Sequence, residues 1–200
     1  MNTNIFLGSR VRLTAEDPAV LAEVFARWDR DAGFKRLLDD APPMLWSVEK
    51  IKEWIDKDLK KENPRSFLFA VRTLEGDQLI GFLDLWVNWM HGDAWVGIGL
   101  GERDYWGNGF GTYAMQVMLR YAFMELNLHR VTLGVFDYNP RAQRSYAKAG
   151  FKPEGRLRRE LHRQGQRRDI LIMGILRSEW LEASHIEPVA VPAGVLEGEK

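Results

Sequence analysis

Trp106-Gly-Asn-Gly-Phe-Gly-Thr112 sets three glycines at every second position, at the entrance to an amphipathic segment. Glycine lets backbone N–H groups turn toward a ligand, and a helix start adds unpaired donors and a positive dipole end. Such a stretch can hold an anion, most often a phosphate. A flexible turn ahead of a helix would use the same residues. The better-known glycine loops do not fit. A Walker loop needs a lysine between its last glycine and the hydroxyl residue, and here Gly111 meets Thr112 directly. A dinucleotide fingerprint needs glycine or alanine where Thr112 stands, and the strand expected before it closes an antiparallel meander, the wrong context.

Two further stretches could do chemistry. Gly97, Gly99 and Gly101 alternate along Trp95–Gly101, which leaves room either for an extended ligand to pair with the backbone or for close sheet–helix packing. Asn139-Pro140 opens a helix that Gly150 ends, a cap followed by a first-turn proline. The Asn139 oxygen can cap while its amide donates elsewhere.

The elements that must position these residues follow from apolar period and turn chemistry. A strand is predicted at Arg10–Leu13, then Thr14 as cap of a helix with Asp17, Pro18 and the stripe Val20, Leu21, Val24, Phe25, Trp28. Ser47 caps a second helix with Ile51, Trp54, Ile55 and Leu59 on one face. Strands at Ser66–Arg72, Gln78–Trp89 and Ala94–Gly101 form a meander around Glu75-Gly76-Asp77 and His91-Gly92-Asp93. The glycine stretch opens a helix to about Leu126, Val131–Phe136 is a strand, and Phe151–His162 with Arg167–Ile175 make a last hairpin. The expected fold is mixed α/β (α+β), a mostly antiparallel central sheet with helices on both faces. Residues 1–185 are expected as a single domain and 186–200, with prolines and glycines but few large apolar groups, as a disordered tail.

Composition narrows the function. The 200 residues carry 28 Lys+Arg against 28 Asp+Glu, so the chain as a whole is not built as an electrostatic nucleic-acid binder. Without cysteine there is no disulfide, no thiolate metal site and no thiol nucleophile. No stretch approaches the ~20 apolar residues of a membrane span, and the first residues lack a signal-peptide pattern, so a cytoplasmic protein is expected.

Tyr105–Thr112, together with Asn139, Ala142, Tyr146 and Gly150-Phe151, resembles the GNAT superfamily of acyl-coenzyme A-dependent N-acyltransferases. The likeness is closest to the branch similar to ribosomal-protein N-terminal acetyltransferases, extends to Glu154-Gly155-Arg156 and Asp169–Met173, and covers roughly Arg10 to Trp180. The resemblance implies a transferase moving an acyl group, expected to be acetyl, from acetyl-CoA to a primary amine, with no metal. Trp106, Gly107, Asn108, Gly109, Phe110 and Gly111 would cradle the pyrophosphate through backbone N–H groups, with the Thr112 hydroxyl assisting. Pantetheine would lie along Ile98, Gly99 and Leu100, and Asn139 and Ala142 would touch the coenzyme, with Arg144 and Lys148 as phosphate partners beside Arg141. Tyr146 would protonate the leaving thiolate, and a backbone N–H near Leu100 would stabilise the oxyanion.

One position departs from the branch. Trp95 stands where many members carry a glutamate, so the usual acidic base is missing. Asp84, a charge inside an apolar strand with the parity of Phe82 and Trp86, is the first substitute; His91 and Asp93 are weaker ones, and an ion-paired structural Asp84 is the rival reading. Trp86, Trp89, Trp95 and Trp106 are either core or the wall of an acceptor pocket. The acceptor is a protein N-terminus or a small amine. A coenzyme A-binding module without turnover and an RNA- or ribosome-associated protein using the arginine-rich hairpin at 156–168 are the alternatives. Dimers are common in the branch, so a homodimer is an expectation.

Overall fold

Asp17 and Pro18 start the first helix: the Asp17 carboxylate accepts the Ala19 N–H at 2.7 Å, and proline fills the first helical position, where a missing N–H costs nothing. The cap is therefore three residues later than the expected Thr14, which closes strand β1 (Val11–Thr14) and hydrogen-bonds Glu16. The computed structural model describes residues 4–61 and 65–184. The tail expected over 186–200 lies outside the described residues.

Helix α1 (Pro18–Trp28) precedes a short α2 (Ala32–Leu38) that periodicity did not disclose, and α3 (Val48–Leu59), capped by Ser47 as expected. Strands β2 (Ser66–Thr73), β3 (Leu79–Asn88) and β4 (Asp93–Leu100) form the meander. The β2–β3 turn places Gly76 and Asp77 at positive φ, the geometry of tight hairpins. Then come α4 (Phe110–Met124), β5 (Arg130–Phe136), α5 (Pro140–Lys148), the hairpin β6 (Lys152–Arg163) with β7 (Gln166–Leu176), and α6 (Arg177–Ser184). The seven strands make one sheet in the order β1-β2-β3-β4-β5-β7-β6. Among them β4–β5 is parallel and the other pairs are antiparallel, in keeping with the expected mixed, mostly antiparallel sheet.

Alternation along the strands builds two cores. Leu83, Leu85 and Val87 with Ala94 and Val96 meet Ala114, Met115 and Met118 of α4 on one face. Ala70 of the opposite face packs with Leu21, Ala22, Ala26, Ile51 and Ile55 of α1 and α3.

The parallel pair is where the sheet opens. Pairing of β4 with β5 ends at Trp95 and Thr132, although β4 stays paired to β3 as far as Leu100 and β5 to β7 as far as Phe136. Residues Val96–Leu100 thus lose their strand partner on one side. A backbone edge deprived of its ladder must find other hydrogen bonds or meet water.

The glycine alternation on β4 has a packing cause. A Cβ on Gly99 would lie 2.5 Å from the Phe82 ring, and one on Gly101 2.0 Å from the Trp28 indole. Rings from β3 and α1 fill the space that side chains would take, while access to the backbone comes from the gap. Gly101→Ala is therefore expected to destabilise the fold by about 3 kcal/mol, the cost of forcing atoms into a filled site. Urea unfolding measures this; a loss below ~1 kcal/mol would mean that Trp28 yields freely.

Candidate active site

The loop entering α4 is shaped by two left-handed glycines, Gly107 (φ +80°) and Gly109 (φ +85°), values that a Cβ penalises. Gly109 is the N-cap and offers no side-chain acceptor, so the N–H groups of Phe110, Gly111 and Thr112 are left without a cap. Together with the helix dipole, this end of α4 suits an anion. Trp106 fastens the loop: its indole N–H donates to the Leu100 carbonyl at 2.7 Å, and its ring lies near the Arg141 and Arg103 guanidinium groups, 3.8 and 4.9 Å from them. The Asn108 side chain donates to the Asp104 carbonyl, and Arg10 donates to the Asn108 carbonyl. Phe110 is buried with its ring edge against Tyr105. What Asn108 and Phe110 can offer a ligand is main chain.

The gap supplies a second set of donors. Gly101 N–H donates to Ile80 of β3 at 3.0 Å, so strand alternation turns the N–H groups of Leu100 and Ile98 the other way, into the gap. Helix α5 closes the far side. Asn139 caps it by accepting from Ala142 N–H at 3.2 Å, while its amide reaches the Leu37 carbonyl at 3.5 Å. Thr112 and Ser145 hydroxyls lie 2.9 Å apart and tie α5 to the start of α4. Sequence reasoning missed Ser145, whose signal is its place three residues after Ala142, on the same face of the helix.

These pieces enclose a cleft of about 490 Å³. Of the residues expected around a coenzyme, Ile98, Gly99 and Leu100 line it from β4, and Trp106, Gly107, Gly109, Gly111 and Thr112 from the loop and α4. Asn139, Ala142, Arg144 and Lys148 line it from α5, the last two exposed. Tyr146 lines it as well, with no hydrogen-bond partner for its hydroxyl among the described residues. Burial pushes its phenol up to about 12, with Arg141 pulling the other way.

A second cavity, about 710 Å³, opens on the α1–α3 face of the sheet. It meets the cleft at Phe34, Leu38 and Ile98, which line both. Asp84 lies within it, in register with Gly97, without a hydrogen-bond or ion-pair partner among the described residues. The carboxyl is raised to about 7, first by burial and then by the negative charge of Asp58. The Trp86 indole stands beside it: a Cβ on Gly97 would be 3.3 Å from that ring and 4.0 Å from Asp84 Oδ2. Trp86 and Trp95 pair across the strands and are 49% and 50% exposed, so both present ring to the cavity. Trp89 instead packs edge-on against Phe67, and Trp89, His91 and Asp93 all lie outside both cavities. Sequence reasoning missed the contribution of Phe34, Leu37 and Leu38, because α2 was not recognised.

A family model described as an acetyltransferase (GNAT) domain matches residues 10–152. The spermidine N(1)-acetyltransferase of Vibrio cholerae serotype O1 is 32% identical over 141 residues, covering 69% of this chain and 78% of that protein. The spermidine N(1)-acetyltransferase of Escherichia coli K12 is 31% identical over 140 residues, 70% of this chain and 72% of that one. Among solved structures, the Vibrio cholerae spermidine N-acetyltransferase in complex with CoA and spermine matches with a TM-score of 0.77 at 26% identity, over 86% of this chain and 99% of that one.

Proposed function

The chain belongs to the GNAT acetyltransferase family, and from that premise we propose that it transfers acetyl from acetyl-CoA to a primary amine of an aliphatic polyamine, spermidine being the first to test. The donor fits the cleft on grounds internal to the structure. Uncapped N–H groups at α4 suit a pyrophosphate, Arg144 and Lys148 suit further phosphate, and the unpaired edge of β4 suits an amide-bearing arm. The donor supplies an activated carbonyl and a thiol leaving group. The chain supplies the rest.

The observation that carries the acceptor reading is Asp84, an unpaired carboxyl beside the Trp86 ring in a cavity continuous with the cleft. A carboxylate and an aromatic face together favour an alkylammonium over a neutral or anionic group. With an affinity for protons near neutrality, Asp84 can take the proton that an attacking amine must shed. The Leu100 N–H, turned into the gap, can stabilise charge growing on a carbonyl oxygen. Tyr146 holds its proton at neutral pH and can donate a hydrogen bond to a departing sulfur. Asp84 also answers the departure at Trp95. It stands two pairs further along the neighbouring strand, on the same face, and so offers a carboxyl near the region where the branch places its glutamate. The relatives named above act, by their names, on spermidine; they lend no support to a protein N-terminus as acceptor.

Mixing the protein with acetyl-CoA and spermidine and following free thiol should reveal saturable release well above hydrolysis. Calorimetric titration with acetyl-CoA separates the two halves of the reading. Binding without release at millimolar spermidine would overturn the acceptor, and absence of binding at high micromolar acetyl-CoA would overturn the donor.

A further inference from the structure

The two cavities share a roof, and that roof is fastened by residues the acetyl-transfer reading leaves unused. Helix α2 buries Phe34 and contributes Phe34 and Leu38 to both cavities. The segment after it, Asp39, Asp40 and Ala41, lines the second cavity alone. A helix of seven residues ends with carbonyls that no further turn can satisfy. Here distant side chains satisfy them. The Tyr138 hydroxyl donates to the Arg36 carbonyl at 2.8 Å, and the Asn139 amide to Leu37 at 3.5 Å. Arg163 Nη2 donates to the carbonyls of Asp39 and Ala41 at 2.6 and 2.8 Å, from the last position of β6.

Arg163 belongs to the arginine-rich hairpin, whose residues divide by task. Arg156 is paired with Asp169 inside the hairpin, whereas Arg163 leaves it to reach a segment more than 120 residues earlier. Its Nε–H is shut away from solvent with no partner among the described residues. A guanidinium held with one donor unmet is aimed at the two carbonyls rather than relaxed for its own hydrogen bonding.

We propose that Arg163 is a positioning residue for the acceptor: by clasping the carbonyls of Asp39 and Ala41 it holds α2 and the following segment closed over the second cavity. The proposal rests on the reading of that cavity as the acceptor's. Arg163→Ala, Arg163→Lys and Tyr138→Phe are compared with the unaltered protein by amide hydrogen exchange and by steady-state kinetics with spermidine and acetyl-CoA. In Arg163→Ala, exchange across residues 36–42 should quicken about tenfold while β2 and β3 keep their protection. The KM for spermidine should rise about tenfold, the equivalent of one charged hydrogen bond, with kcat and the KM for acetyl-CoA within about threefold of the original. Arg163→Lys should recover part of the loss, and Tyr138→Phe should move both readouts the same way but less.

Unchanged exchange at 36–42, or exchange that quickens equally through the sheet, would overturn the strap. So would a KM for acetyl-CoA that climbs as far as that for spermidine. If the unaltered protein does not acetylate spermidine, the acceptor reading fails and the exchange measurement alone decides the strap. If Arg163→Ala does not fold, Arg163→Lys and Tyr138→Phe decide it by the same criteria.

Discussion

Tyr146→Phe is expected to lower kcat by about 10- to 100-fold, with acetyl-CoA affinity changed less than about threefold. The size follows from two proton affinities. The phenol sits at about 12, whereas a free thiol titrates near ~8.5. Complete proton transfer from Tyr146 to a thiolate is thus uphill by roughly 5 kcal/mol, taking about 1.36 kcal/mol for each pKa unit. The useful contribution is then a hydrogen bond that strengthens as charge builds on sulfur, and hydrogen bonds to charged groups contribute about 1.5–3 kcal/mol. That converts to the stated loss in rate. It also predicts that the pH profile below pH 10 keeps its shape, since Tyr146 does not ionise in that range. Because the hydroxyl has no protein partner among the described residues, its removal should leave the fold undisturbed. Rapid-quench kinetics with calorimetric titration of acetyl-CoA tests the point. A kcat that stays level, or an affinity that falls as far as the rate, would assign Tyr146 to binding or packing.

The cleft at the start of α4 was legible because its signals are local. Caps and stops such as Ser47, Asn139-Pro140 and Gly150 act within one helical turn, and the structure has each at its expected post. Gly107 and Gly109 declared a backbone that needs positive φ. Thr14 was expected as a cap and is not one: Asp17, three residues on and directly before Pro18, holds that post. The second cavity was harder, for a physical reason. Seven residues with a glycine among them show less than two turns of period, so α2 left little imprint on the sequence. Without α2 the second cavity has no roof and cannot be anticipated. The opening between β4 and β5 is likewise a matter of which strands stay paired to their outer neighbours, which no single segment encodes. The alternating glycines looked equally suited to ligand approach and to packing. Rings from Phe82 and Trp28, far apart in sequence, supply the packing, and the separate opening supplies the approach.

Asp84 shows how a residue can be visible in sequence while its state is not. Parity with Phe82 and Trp86 marked it as a charge on an otherwise apolar face, but only the fold leaves it without a cationic partner among the described residues. Asp84→Asn is expected to reduce kcat/KM for spermidine at pH 7 by about 10²- to 10³-fold, the lower part of the usual range for loss of a general base. The unaltered protein should show an acid limb in kcat/KM near pH 7, reporting the free enzyme, and the variant should lack it. A bound ammonium favours the carboxylate, so the limb in kcat should fall at lower pH than the limb in kcat/KM.

The same substitution should strengthen the fold. Below about pH 3 the carboxyl is protonated in folded and unfolded chains alike. As pH rises, the unfolded chain ionises from 3.8 upward while the folded one resists until about 7. Stability is therefore lost progressively across that window and stays lost above it. Full burial would set the loss at ~4 kcal/mol, from roughly three pKa units at about 1.36 kcal/mol each. Asp84 opens onto a cavity, so solvent screening brings the expected figure to about 2 kcal/mol. Asparagine carries no charge at any pH, so the variant should match the original near pH 3 and exceed it by about that amount at pH 8. Urea unfolding at the two pH values, beside the kinetics, makes a joint test. A variant both inactive and less stable at pH 8 would mark Asp84 as a structural group. A variant slower yet more stable identifies a buried charge kept for the chemistry at the expense of the fold.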